Sequence, residues 1–287
     1  MTPLPIAFIF LIREKMHPAW YHFFPNPLPS HISIFIHSKV LPSTQDRFYQ
    51  YYIPDPLPTK WGDISQIYAI NRLLSLAYKN TSSQLFFHAS ESCLPLVGLS
   101  RFTKYLHDEY PKGFLMHRLE NSRYTVDLKK YLDHRQFRKM RAQGWVFSRQ
   151  IVSTLLQHQH HTKFFNQTIC PTEHVYVNIL VHLGINLDQY FINRPLSYFN
   201  WNDKKTRSES ICHPKIYQNS EVTSGFVQDL IRRNYLILRK ASPDVEYFPR
   251  DNSNDTNPIK IPHTKTHSHS HSHSTSVFQI LDTYIDS

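Results

Sequence analysis

A carboxylate and an imidazole, Glu173-His174, follow Cys170-Pro171-Thr172 and open the apolar run Val175-Tyr176-Val177-Asn178-Ile179-Leu180. If that run is a helix, Glu173 falls in its first turn, where a side chain can face a cleft instead of the core. A carboxylate so placed can take a proton from a hydroxyl within hydrogen-bond reach, which is general-base chemistry. The pair by itself fixes no reaction.

A second cluster, Ser90-Glu91-Ser92-Cys93-Leu94-Pro95-Leu96, gathers small polar groups at the end of an expected strand, as a sheet edge that meets a ligand would. The competing reading is a strand-to-helix turn in which Ser92 or a neighbour caps the next helix. Cys93 has no evident base beside it and reads as a buried thiol. The six glycines are scattered, so there is no glycine-rich phosphate loop, and no Asp-x-Asp offers paired carboxylates to a divalent cation. No metal or other cofactor is expected. If a substrate carries a diphosphate, cationic side chains must neutralise it. Arg194 and the region from Arg232-Arg233 to Arg239-Lys240 are the candidates.

The elements that must position these groups follow from hydrophobic pattern. Residues 6–12 form a continuous apolar run of strand formers, read as a strand covered on both faces, and residues 32–37 form a second. Residues 16–24 between them read as a crossover helix. After Trp61-Gly62, residues 64–78 place Ile67, Ile70, Leu73, Leu74 and Ala77 at helical spacing, and 85–89 form a third strand. Alternating strands and helices imply an α/β fold with a mostly parallel sheet and helices on its faces. Ligands then bind beyond the carboxyl ends of the strands, which puts His37, Trp61-Gly62 and Glu91 on the functional edge. Further on, the pattern gives a helix over 148–157, the Glu173 helix, a strand near 195–201 and a helix-strand unit over 226–240.

The chain has 287 residues, 40% of them hydrophobic and 14% aromatic, enough for a sizeable core. A formal charge of +10 and an isoelectric point near 9.4 call for an anionic partner, yet the basic residues are dispersed rather than run together as in a nucleic-acid tail. Cys93, Cys170 and Cys212 cannot build a disulfide framework, and none has zinc-ligand spacing. Residues 6–12 are too few to span a bilayer and follow no basic leader, so no signal peptide or transmembrane segment is read, and a soluble, cytoplasmic location is expected. From Val245 the composition turns polar and ends in the His-Ser repeat 267–273, a low-complexity tail expected to be disordered. Its imidazoles offer incidental affinity for a transition metal, with no role in the chemistry.

Taken in order, these segments resemble the core-2/I-branching β-1,6-N-acetylglucosaminyltransferase family, most closely its plant-type and related members. The likeness is carried by 6–12, 32–37, Trp61-Gly62, Ser90-Glu91-Ser92-Cys93-Leu94-Pro95-Leu96, 143–149, Thr172-Glu173-His174, Asn193-Arg194-Pro195-Leu196-Ser197-Tyr198 with Trp201, His213-Pro214 and Leu238-Arg239-Lys240. It runs from residue 6 to 244, so residues 1–244 are expected to form one GT-A-like transferase domain and 245–287 a tail. The resemblance implies an inverting, metal-independent transfer from a UDP-sugar, with N-acetylglucosamine as the expected sugar, to a glycan or glycoprotein hydroxyl in β linkage. It implies Glu173 as the base, Arg194 and Lys240 on the nucleotide diphosphate, and the loops at His37, Trp61-Gly62 and Glu91 around donor or acceptor.

The chain departs from the pattern in two places. Thr172 stands where an Asp commonly precedes the glutamate, and Met140-Arg141-Ala142 replaces the usual Lys-Gly-Ser before Gln143. Xylose transfer on the same fold is the close alternative. A non-catalytic relative that binds carbohydrate or nucleotide-sugar is another, and a nucleic-acid-binding protein is not expected.

Overall fold

The computed structural model describes residues 3–120, 122–201 and 214–249. His213 and the His-Ser repeat lie outside them.

The apolar run near the N-terminus is β1 (Ile6–Ile12), and it pairs in parallel with β2 (Ile32–Ser38) on one side and β3 (Leu85–Ala89) on the other. Successive strand side chains point to opposite faces. Accordingly, Ala7 and Ile9 enter one apolar core while Ile6, Phe8, Phe10 and Ile12 enter another. That is why the run shows no polar alternation. Helix α2 (Ser65–Asn80) covers the first face with Ile67, Ile70, Leu73, Leu74 and Ala77, as its spacing requires.

The crossover helix expected over 16–24 is shorter: α1 spans only Ala19–Phe23. Pro18 starts it, and Pro25 and Pro27 follow at once, so the chain cannot continue helically. Its Trp20 is fully buried and donates from Nε1 to the Cys93 carbonyl at 2.9 Å, tying α1 to the polar cluster after β3.

That cluster does not lead straight into a helix. Cys93–Pro95 is a short strand, β4, and α3 (Leu99–Glu109) begins after Gly98, so Ser92 caps nothing. The backbone is claimed instead by antiparallel pairing with a late strand, here called β11 (Ile237–Arg239). Between them in sequence lie β5 (Gly113–Phe114), β6 (His117–Leu119), β7 (Arg138–Met140), β8 (Val146–Ser148), α4 (Arg149–Gln157), α5 (Val175–His182), α6 (Leu187–Tyr190), β9 (Phe191–Ile192), β10 (Ser197–Tyr198) and α7 (Ser224–Arg232).

The main sheet has the order β2-β1-β3-β8-β5-β9, and three of its five pairings are parallel. A second sheet, β10-β11-β4, and the hairpin β6-β7 complete the α/β fold. The two sheets are pinned at Gly144, where φ is +77° and a Cβ would stand 2.0 Å from Ser197 Oγ, so only glycine fits. Packing continues past residue 244: Val245 is buried, and the Tyr247 hydroxyl donates to the Leu96 carbonyl at 2.7 Å.

Candidate active site

Glu173 is placed by a turn rather than by a helix. Cys170 takes a left-handed conformation with φ +52°, Pro171–Glu173 form a single 3-10 turn, and α5 begins only at Val175. His174, at φ −132°, breaks the helical path between them. Glu173 therefore sits just ahead of the helix, not in its first turn. The Cys170 amide donates to the Gly62 carbonyl at 3.2 Å, so the Trp61-Gly62 loop lies against this turn. Gly62 itself is left-handed, φ +72°, and its amide donates to Gln66 Oε1 at 3.0 Å. Trp61 is 59% exposed at the edge of this loop.

The Glu173 carboxylate, 19% exposed, receives two cations on one oxygen. Arg123 Nη1 is 2.5 Å from Oε2 and Lys139 Nζ is 3.3 Å from the same atom. Oε2 thus carries both ion pairs.

Lys139 reaches Glu173 because β7 is fastened to α5. Asn178 Oδ1 accepts the Arg138 amide at 2.8 Å, while its Nδ2 donates to the Arg138 and His174 carbonyls, each at 2.7 Å. His174 is completely buried, stacks on Phe137 at 5.0 Å and contacts the Arg138 carbonyl through Nδ1 at 3.1 Å. Burial pulls its pKa down to about 4, so the ring is neutral near pH 7, and Nδ1 must carry the proton because a carbonyl only accepts. His174 thus holds the strand as a neutral ring. Asn193 Oδ1 does the same for β6 by accepting the His117 amide at 2.9 Å. Replacing Asn178 by Ala leaves the Arg138 amide without its acceptor, while the Arg138 carbonyl keeps His174, so an unfolding titration should read a loss of about 1–3 kcal/mol. Any catalysis that depends on Lys139 should fall with it.

A second cationic group surrounds the polar cluster after β3. Arg239 Nη1 donates to the Ser90 hydroxyl and, at 2.9 Å, to the Ser92 hydroxyl, which makes the 90–93 turn a cap on β11. Lys240 is half-buried beside it; burial pulls its pKa down, Arg239 adds to that, and Glu91 opposes both.

Arg194 is elsewhere. Its Nη2 donates to the Asn234 carbonyl at 2.6 Å and its guanidinium lies 5.9 Å from the Tyr105 ring. Among the described residues its partners are Asn234 and Tyr105, not Glu91, Arg239 or Lys240. His37 closes the end of β2 with no solvent exposure, and burial lowers its pKa. Arg123 carries no local sequence signal, since it joins Glu173 across 50 residues of chain. Among the described residues no three His, Cys, Asp or Glu side chains gather as a metal would require, and no helix is long and apolar enough to cross a membrane.

Three buried histidines set an acid limit on this architecture. Burial lowers His88 to about 3, and His117 and His174 to about 4, against an ordinary value near 6.5. Their stabilising contribution is complete above pH 6.5 and is lost as pH falls toward 4, because the unfolded chain binds protons that the folded chain refuses. Thermal melts should hold steady above pH 7 and drop progressively between pH 6.5 and 4. A flat profile over that range would sink this expectation.

The model of the Core-2/I-Branching enzyme family matches residues 6–231. The rice protein Glycosyltransferase BC10, from Oryza sativa subsp. japonica, is 30% identical over 118 residues, which is 37% of this chain and 30% of that protein. The similarity to it thus spans under a third of the relative's own length. The family match takes in the main sheet, the Glu173 turn and the cluster after β3, and it fixes the assignment: this chain belongs to the Core-2/I-Branching enzyme family.

Proposed function

We propose that this protein is an inverting glycosyltransferase that moves a sugar, N-acetylglucosamine in this reading, from a UDP-sugar to a glycan hydroxyl in β linkage, on a GT-A-like fold and without a metal ion. The observation that carries the reading is the Glu173 carboxylate, held through Oε2 by Arg123 and Lys139 in a partly open turn of a chain belonging to this family.

A sugar hydroxyl is a poor nucleophile near neutral pH, so a fixed carboxylate must take its proton as the bond to the anomeric carbon forms. Clamping Oε2 fixes the direction of Oε1, and that positioning needs no reorganisation during reaction. As the anomeric bond to the diphosphate breaks, negative charge grows on the leaving UDP. Lys240, with Arg239 next to it, supplies fixed positive charge to meet it, and such charge stabilises the transition state more than the ground state. Glu91 acts on Lys240 through space and favours its charged form. Trp61-Gly62 borders the base, which suits the acceptor side, and His37 belongs to the donor side at the end of β2. The structure supports Arg239 and Lys240 for the diphosphate better than Arg194, whose guanidinium is occupied with Asn234 and Tyr105.

The test is UDP release from a panel of UDP-sugars with glycan acceptors, in EDTA and again with added Mg2+ or Mn2+. We expect one preferred donor and rates that EDTA leaves unchanged. Release that requires the cation would remove the metal-independent mechanism. UDP binding without release from any donor would leave a nucleotide-sugar-binding relative, and preference for UDP-xylose would make it a xylosyltransferase.

A further inference from the structure

Among the described residues, the cations around Glu173 outnumber the carboxylates paired with them. Arg118, Arg123 and Lys139 border Glu173 and Glu120: Arg118 Nη2 lies 3.8 Å from Glu120 Oε2, and the other two share Glu173 Oε2. Arg118 and Lys139 are also directly opposite each other in the β6-β7 hairpin, an arrangement that like charges disfavour unless an anion lies nearby.

Arg141, at the end of that hairpin, is a fourth cation with no such balance. Its amide donates to the Met116 carbonyl at 3.2 Å, its Nε meets Met116 Sδ at 3.4 Å, and its guanidinium lies 4.7 Å from the Phe199 ring. Among the described residues no carboxylate comes within ion-pair distance of it. Burial penalises its charge, and Glu173 acts on it only through space. A guanidinium taken partly out of water without a bound counter-ion is costly, and its Nη1 and Nη2 face of the planar fork matches a carboxylate.

The position of this cation decides what it can read. In an inverting displacement the base and the leaving group stand on opposite sides of the anomeric carbon, so groups gathered about the base face the acceptor. Arg239, whose guanidinium lies 5.9 Å from the same Phe199 ring, is engaged by Ser90 and Ser92 and precedes Lys240 in the chain. The diphosphate has its own cations there. Arg141 is left for a charge on the other substrate.

We propose that the acceptor is an acidic glycan, and that Arg141 reads a carboxylate on the sugar unit at, or next to, the accepting hydroxyl. This inference rests on the transferase reading above and names its acceptor class. It also gives a use to the Met140-Arg141-Ala142 departure, in which a guanidinium stands one place after the position of the usual lysine.

The test titrates the full-length protein, saturated with UDP, with a galacturonate tetrasaccharide and with its carboxyl-reduced, neutral counterpart. The proteins compared are wild type, Arg141→Gln and Arg141→Lys, at low and at physiological salt. Wild type should prefer the acidic sugar by about tenfold or more at physiological salt, as expected of one forked charge-assisted pair. Arg141→Gln should bind the two within about twofold of each other, and Arg141→Lys, which keeps the charge but not the fork, should fall between.

Equal binding of both sugars by wild type, or an undiminished preference in Arg141→Gln, overturns the proposal. So does a preference confined to low salt, which would be general attraction to a basic chain. Arg141→Lys keeps the question answerable if the Gln variant unfolds, because an unchanged preference there would also count against a fork. UDP titration of the same proteins separates the two readings: UDP bound without acidic preference sinks the acceptor class alone, and failure to bind UDP sinks the transferase.

Discussion

Glu173→Gln should lower sugar transfer by about 10²–10⁴-fold while leaving UDP affinity nearly unchanged. The substitution keeps the shape of the side chain and removes its ability to accept a proton. Oε2 of Glu173 is the shared partner of Arg123 and Lys139, so the variant also leaves two cations facing a neutral amide. Their side chains are 29% and 28% exposed, and water can reach them, so the fold should survive. The effect must then appear in kcat, since the lost interaction belongs to the transition state and not to the bound donor. Initial rates at saturating donor and acceptor, beside a UDP titration, check both halves. Equal rates in the two proteins would remove Glu173 as the base, and a rate loss matched by lost UDP binding would point to a damaged fold.

Lys240→Met should cost about 10²–10³-fold in kcat/KM, the scale of losing one fixed charge on a developing oxyanion. Methionine preserves most of the buried aliphatic stem, so packing against β11 changes little. Lys240 has its pKa lowered by burial and by Arg239, so its charged form is disfavoured in the free site. A diphosphate relieves that penalty on binding and relieves it further as its charge grows. Arg194→Met is the contrasting variant: its guanidinium is committed to the Asn234 carbonyl and the Tyr105 ring, so UDP affinity should change by less than about threefold, even where stability falls. A large loss of UDP affinity in Arg194→Met with little in Lys240→Met would reverse this assignment.

Local pattern was enough for much of the scaffold. The unbroken apolar run of β1 required burial on both faces, and its alternate residues do enter two cores; the spacing of Ile67, Ile70, Leu73, Leu74 and Ala77 required α2 to cover one of them. Order of motifs along the chain carried the family, because each strand end delivers its loop to the same edge of the sheet. It also marked Glu173 as the carboxylate to watch.

Contacts distant in sequence had to come from the tertiary structure. The sequence shows a polar cluster at 90–93 that could meet a ligand or cap a helix, but only the antiparallel pairing of β4 with β11 brings Arg239 to Ser90 and Ser92. Arg194 and Lys240 are equally basic in the sequence, and the fold gives them different surroundings: Arg194 is bound to the Asn234 carbonyl, while Lys240 is half-buried next to Arg239. Glu173 and His174 are adjacent in the chain, yet one faces a partly open turn and the other is sealed against Phe137 and the Arg138 carbonyl. The physical reason is common to all three. Hydrophobic periodicity is a property of neighbouring residues, whereas the charge state and partners of a polar group depend on what the fold places within a few ångströms of it.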